Sequence, residues 1–183
     1  LVAAFQADPR SIAWAGGSAG GTDHILVGQI AKAVGVAPDG INYIAYSGGG
    51  EAAAAILGGQ VAAGVSGIGE WSDFIASGEM RALAVSSADP LEVTPGVPTL
   101  TESGVDVVLL NWRGLVGPPN LSDEDKAWLI AALTAVNASE QWQEVLATNG
   151  WDDVFLSGDE FGAYLAEEDT TISAVLKEIG LVQ

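Results

Sequence analysis

Apolar positions along the first half of the chain switch repeatedly between a two-residue and a three-to-four-residue spacing. Residues 1–8 carry a helical pattern that stops at Asp8-Pro9, and Ser11–Ala15 reads as a short strand. The loop Gly16–Gly21 leads into a helix capped by Thr22 or Asp23, with an apolar stripe of Ile25, Leu26, Gln29, Ile30 and Ala33. Gly35 ends that helix, and Pro38-Asp39-Gly40 is a turn. The same succession follows twice. Strand Ile41–Ala45, loop Tyr46–Gly50 and helix Glu51–Leu57 come first, then strand Val61–Val65, loop Ser66–Gly69 and helix Glu70–Ala76. Arg81–Ser86 predicts a fourth strand and Val105–Leu110 a fifth, with Pro90, Pro95, Pro98 and a helical turn at Thr99–Glu102 between them. Gly117-Pro118-Pro119 breaks the chain. Beyond it the spacing predicts helices Asp123–Asn137, Glu140–Asn149 and Gly158–Ile179, capped by Ser122, Ser139 and Ser157, with Trp151–Leu156 extended.

Strands alternating with helices predict an α/β fold with a parallel sheet, whose ligands bind at the carboxyl ends of the strands. Three loops at those ends, 16–22, 47–50 and 66–69, share glycine with serine or threonine and run straight into a helix. A helix start offers unpaired N–H groups and the positive end of the helix dipole. Glycine lets a ligand approach the backbone and hydroxyls add donors, so three such loops together could cradle a carboxylate or phosphate. Taken singly, each is a tight turn with a capping hydroxyl. No repeat of fixed period and no low-complexity tail is present.

Composition narrows the partners. The formal charge of −18, from six basic and 24 acidic residues, leaves no basic footprint for nucleic acid and disfavours an anionic membrane surface. An anionic ligand must therefore be held by local dipoles against the overall field. The absence of cysteine removes disulfides, thiolate metal sites and a cysteine nucleophile. No apolar run reaches membrane-spanning length, and Leu1–Phe5 lacks the features of a signal peptide and reads as the remnant of a helix.

Gly16-Gly17-Ser18-Ala19-Gly20 fits the G-x-S-x-G turn of a serine hydrolase, in the right strand–turn–helix setting. A triad needs a histidine reaching Ser18 from elsewhere in the fold. His24, the single histidine, begins the helix that follows the loop. A serine esterase using Ser18 is thus the alternative reading, and a hydrogen-bonding Ser18 the favoured one. No nucleotide-binding glycine motif occurs. Glu51, Glu70, Asp73, Glu167 and Glu168 are scattered carboxylates that read as solvated faces or helix-start charges, so no metal or cofactor is expected. The spacing of Trp128 and Trp142 places them in the core, whereas Trp112 suits a core or a cleft equally.

The ordered segments "WAGGSAGGTDHI", "INYIAYSGGGEAAAAILGGQVAAGVSG", "GEMRALAVSSADP", "GVPTLTESGVDV", "NWRGLVGPPNLSDE" and "NGWDDVFLSGDEF" resemble the substrate-binding proteins of tripartite tricarboxylate transporters, over essentially the whole chain. The resemblance implies a two-lobed periplasmic-binding-protein fold of the Venus-flytrap type. It also implies an extracytoplasmic protein, periplasmic or anchored at the cell surface, that captures a di- or tricarboxylate or related acid. Its partner would be a membrane permease of one large and one small subunit, and it would not be an enzyme. Carried over to this chain, the family's ligand-binding loops fall on Ser18, Gly20, Gly21 and Thr22, on Ser47, Gly48 and Gly49, and on Ser66 and Gly67. The family's opening strand and P-F-x-x-G-G loop have no counterpart here. The expectation is one complete lobe over residues 1–104 and part of a second over 105–183, with exposed apolar surface that would pair two copies.

Overall fold

The computed structural model describes residues 1–182 and resolves into two compact units, residues 1–111 with 171–182, and residues 112–170. In the first, α1 (Val2–Ala7) precedes β1 (Ala13–Gly16), α2 (Thr22–Ala33), β2 (Asn42–Ala45), α3 (Gly49–Leu57), β3 (Ala63–Gly64) and α4 (Ile68–Ala76). The strands form a parallel sheet in the order β2-β1-β3. All three predicted βα successions are present.

Two apolar layers clothe this sheet. Phe5, Trp14, Val27, Ala31, Val36 and Ala63 form one cluster, joining α1 and α2 to the strands. Ala15, Ala52, Ala55 and Val61 form another, with Tyr46, Ile56 and Trp71 packed against it, and fix α3. The small side chains of α3 let it lie close to the strands. A third cluster joins Ile25, Leu26 and Ile30 of α2 to Val105, Val107, Leu109 and Val175.

The fourth and fifth expected strands do not join the sheet. Arg81–Ser86 contributes a single bridge, Val85 to Thr99, in which Val85 donates to Pro98 and accepts from Leu100. Pro98 has no N–H to return, so no ladder can extend through it. Val105–Leu109 keeps the alternating burial of a strand, but the Leu109 N–H finds only the Ser86 carbonyl, at 2.9 Å.

The second unit holds α5 (Asp123–Asn137), α6 (Glu140–Asn149) and the first part of α7 (Gly158–Glu178). Ser122 accepts from the Asp125 N–H and Ser139 from the Trp142 N–H, so both act as the expected caps. Trp112 meets Phe161 and Tyr164 edge to face, each at 5.8 Å, and donates to Glu168 at 3.1 Å. That settles Trp112 as a packed residue. Trp128 corrects the core expectation: it is 68% exposed, since no described element covers its face of α5, while Trp142 is partly buried.

Candidate functional site

Gly16, at the end of β1, lies opposite Ala45, the end of β2, and Ala15 lies opposite Gly64, the end of β3. The three strands therefore finish level, and the three glycine-serine loops leave one edge of the sheet together.

The first loop is built around Gly17. Its N–H donates to the Asp23 carboxylate and its carbonyl accepts from the Tyr43 hydroxyl, both at 2.8 Å. A side chain at Gly16 would strike the Tyr43 hydroxyl and come within 2.8 Å of the Asp23 Cβ, so glycine is required there. Gly20 adopts a φ of 78°, in the left-handed region that favours glycine, and its N–H donates to His24 Nδ1 at 3.2 Å. The His24 ring stacks on Tyr43 at 4.0 Å, tilted by only 3°. Gly21, not Thr22 or Asp23, is the cap of α2, because Thr22 is already helical and the Asp23 carboxylate is turned back to Gly17. The Thr22 hydroxyl lies 3.5 Å from the Asn111 side-chain oxygen.

The second and third loops are tied together. Ser47 donates from both its N–H and its hydroxyl to Glu51, at 3.1 and 3.0 Å. The Gly49 N–H donates to one oxygen of Glu70 at 3.3 Å, and the Ser66 hydroxyl donates to the other at 2.5 Å. Trp71 completes the link by donating to the Gly49 carbonyl at 2.9 Å. A Cβ on Gly49 would meet the Ser66 hydroxyl and lie 2.6 Å from the Glu70 carboxyl carbon, so this crossing depends on glycine.

Electrostatics follow from that crowding. Burial pushes Asp23 above the ordinary carboxylate value; its bond from Gly17 opposes the shift, and the Glu70 charge adds to it. The Glu70 charge, in the first turn of α4, thus reaches Asp23 in the first turn of α2. Burial and the Asp23 charge push the Tyr43 phenol up, and the two bonds from Ser47 hold Glu51 down. No residue of the loops from 16 to 22, 46 to 50 or 66 to 70 is lysine or arginine, so an anion here is held by dipoles and hydroxyls against the charges of Asp23, Glu51 and Glu70.

Burial also holds His24 below its ordinary value of 6.5. The folded state favours the neutral ring, so the unfolded chain takes up a proton first as pH falls below about 6.5. Folding stability is therefore expected to decline from that pH downward until the folded ring itself protonates. Thermal melts between about pH 7 and pH 5 should fall more steeply for the wild type than for His24→Gln, whose amide oxygen can still accept from Gly20. Equal slopes would separate His24 from the acid response.

His24 is engaged by Gly20 and Tyr43, and among the described residues no hydrogen bond joins it to Ser18. The family model for the tripartite tricarboxylate transporter family receptor matches residues 1–181. The chain belongs to this family. The esterase reading of Ser18 therefore gives way to membership of this receptor family. "Protein BugT" of Bordetella pertussis is 30% identical over 98% of this chain and 55% of its own length. A second relative, "UPF0065 protein in gbd 5'region" of Cupriavidus necator, is 24% identical over 100% of this chain and 54% of its own. A TctC solute-binding protein from Polaromonas superposes with a TM-score of 0.79 at 24% identity, over 97% of this chain and 61% of that one. The R. palustris protein Rpa4515, solved with adipate, gives a TM-score of 0.79 at 20% identity over 98% of this chain and 59% of its own. MatC from Rhodopseudomonas palustris, solved with malate, gives 0.71 at 19% identity over 97% of this chain and 60% of its own. The fold of this chain is periplasmic-binding-protein-like, and the chain spans about half the length of the curated relatives named above.

Sequence reasoning passed over the three carboxylates that close the loops. A signal existed: Ser47-Gly48-Gly49-Gly50-Glu51 and Ser66-Gly67-Ile68-Gly69-Glu70 are the same pattern, S-G-x-G-E. In each, the glutamate accepts from the serine four residues before it. Tyr43, Trp71 and Asn111 carried no such signal, because each reaches the loops from a different segment of the chain.

Proposed function

We propose that this chain takes part in capturing a small organic carboxylate, a di- or tricarboxylate or related acid, for the membrane permease of a tripartite tricarboxylate transporter. Its setting would be extracytoplasmic, in the periplasm or anchored at the cell surface. One observation carries the reading. Five donors of the three loops, the Gly17 N–H, the Ser47 N–H and hydroxyl, the Gly49 N–H and the Ser66 hydroxyl, already close on carboxylates of the chain itself. These loops hold carboxylates with hydroxyl and N–H donors alone, the same chemistry that an external carboxylate calls for.

The binding set is Ser18, Gly20, Gly21, Thr22, Ser47, Gly48, Gly49, Ser66 and Gly67, on a ligand lobe over residues 1–104, with 105–183 belonging to a second lobe. Structures of neighbours solved with adipate and with malate support the ligand class. Calorimetric titration of the chain with malate, adipate and citrate is expected to give saturable heat for at least one. No saturable heat from any small organic acid would end the reading. Pairing of two copies through exposed apolar side chains such as Leu115 and Val116, 72% and 83% exposed, belongs to the same proposal. Sedimentation velocity reads it directly.

A further inference from the structure

The loop after β1 is held at two points. Gly17 donates its N–H to Asp23, in the first turn of α2, and accepts from the Tyr43 hydroxyl of β2, both at 2.8 Å. Gly20 donates its N–H to His24 Nδ1 at 3.2 Å. A nitrogen that accepts carries no proton, so the proton of the neutral ring sits on Nε2. The ring lies flat on Tyr43, 4.0 Å away and tilted by 3°, which fixes the direction in which Nδ1 points. Tyr43 thus holds Gly17 through its hydroxyl and Gly20 through the histidine it supports. Ser18 and Ala19, between the two points, are exposed.

From this geometry we infer that His24 is a pH-released latch on the Gly17–Gly20 loop, with Tyr43 as its seat. A proton on Nδ1 sets one N–H against another, so the bond that pins Gly20 becomes a contact between two donors. Gly20 has no Cβ and can leave its φ of 78° at little cost, whereas the bonds at Gly17 are untouched. The charges around the ring oppose one another. Asp23 beside it on α2 favours the imidazolium but is turned to Gly17, and Glu70 of α4 acts on Asp23. Glu51 of α3 is engaged by Ser47. From α7, Leu176 lies beside Gly20, as does Leu181 just past its end, while Glu178 is paired with Lys32 at 2.6 Å. The positive end of α2 disfavours a cation in its first turn, and burial sets the balance, holding the ring below its ordinary 6.5. Acid therefore frees Gly20 while the sheet and α2 stay formed. For the carboxylate-receptor reading, on which this last step rests, affinity falls as the medium acidifies.

Nuclear magnetic resonance of the His24 ring and of the backbone amides, from about pH 8 down to about pH 5, tests the latch. The Gly20 amide is expected to lose its protection against hydrogen exchange at the same midpoint as the ring takes up its proton, while Gly28 inside α2 keeps its own. In His24→Gln, which accepts without titrating, Gly20 should stay protected across the range. Tyr43→Leu, which takes away the ring beneath His24, should cost Gly20 its protection even at neutral pH. Malate titrations at the two ends of the range read the consequence for capture, since the ligand's own protonation is common to both proteins. The wild type should lose about fivefold more affinity than His24→Gln, the worth of one neutral hydrogen bond. A Gly20 amide that stays protected while the ring titrates, or that loses protection equally in His24→Gln, overturns the latch. So does a ring that takes up no proton before the chain unfolds. No malate binding by either protein at neutral pH ends the carboxylate reading, and Gly20 then decides the latch alone.

Discussion

Phe5→Ala is expected to lower the folding stability of the first unit by about 3–5 kcal/mol, the cost of emptying a large aromatic site. Phe5 is fully buried and meets Trp14 edge to face at 5.3 Å, within a cluster that also holds Val27, Ala31 and Val36. α1 has six residues, far too few to be helical in isolation, so packing of this one side chain is what keeps it formed. Urea unfolding followed by tryptophan fluorescence reads the loss, since Trp14 lies against the vacated space. Gln6→Ala on the same helix removes only an exposed bond to the Val34 carbonyl and should cost no more than about 1 kcal/mol. Similar losses from the two variants would show that the Phe5 site collapses without penalty.

Gly28→Leu is the second large effect, with an expected loss of about 1–3 kcal/mol from overpacking. A glycine inside a helix is unfavourable by roughly 1 kcal/mol against alanine, so its presence in α2 calls for a reason. The reason is the end of α7: a Cβ at Gly28 would lie 3.0 Å from Val175 and 3.1 Å from Ile179. Gly28→Ala sets better helix propensity against a shift of a few tenths of an ångström in those side chains, and the two nearly cancel. Leucine leaves no such option and should push residues 171–179 off α2. Hydrogen exchange at Val175 to Ile179 is expected to speed up in Gly28→Leu and to change little in Gly28→Ala. Unchanged protection in Gly28→Leu would mean that this contact does not hold α7.

Much of the candidate site was legible in the chain. The glycine-serine loops, their place after strands and the helices that follow rest on local spacing, and all three were found where expected. What escaped was the use of the charges. Glu51 and Glu70 look alike in sequence, yet Glu51 closes on its own loop while Glu70 also crosses to Gly49, 21 residues away. Asp23 sits where a helix cap would, but Gly17 was the nearer partner once the loop had turned. Only the shared S-G-x-G-E pattern pointed to a common role.

The sequence by itself determined the helices, the caps Ser122 and Ser139, the parallel succession of β1, β2 and β3 and the family, because turns, caps and apolar periods act over a few residues. The tertiary structure alone decided whether an extended segment became a strand. Arg81–Ser86 and Val105–Leu109 have the right alternation, but a ladder needs a neighbour in register, and Val85 faces a proline. It decided also that Trp128 stays exposed at apolar spacing, and that two of the three matched loops are filled by their own glutamates. Those outcomes depend on which distant groups arrive within hydrogen-bonding or packing distance, and no local pattern encodes that.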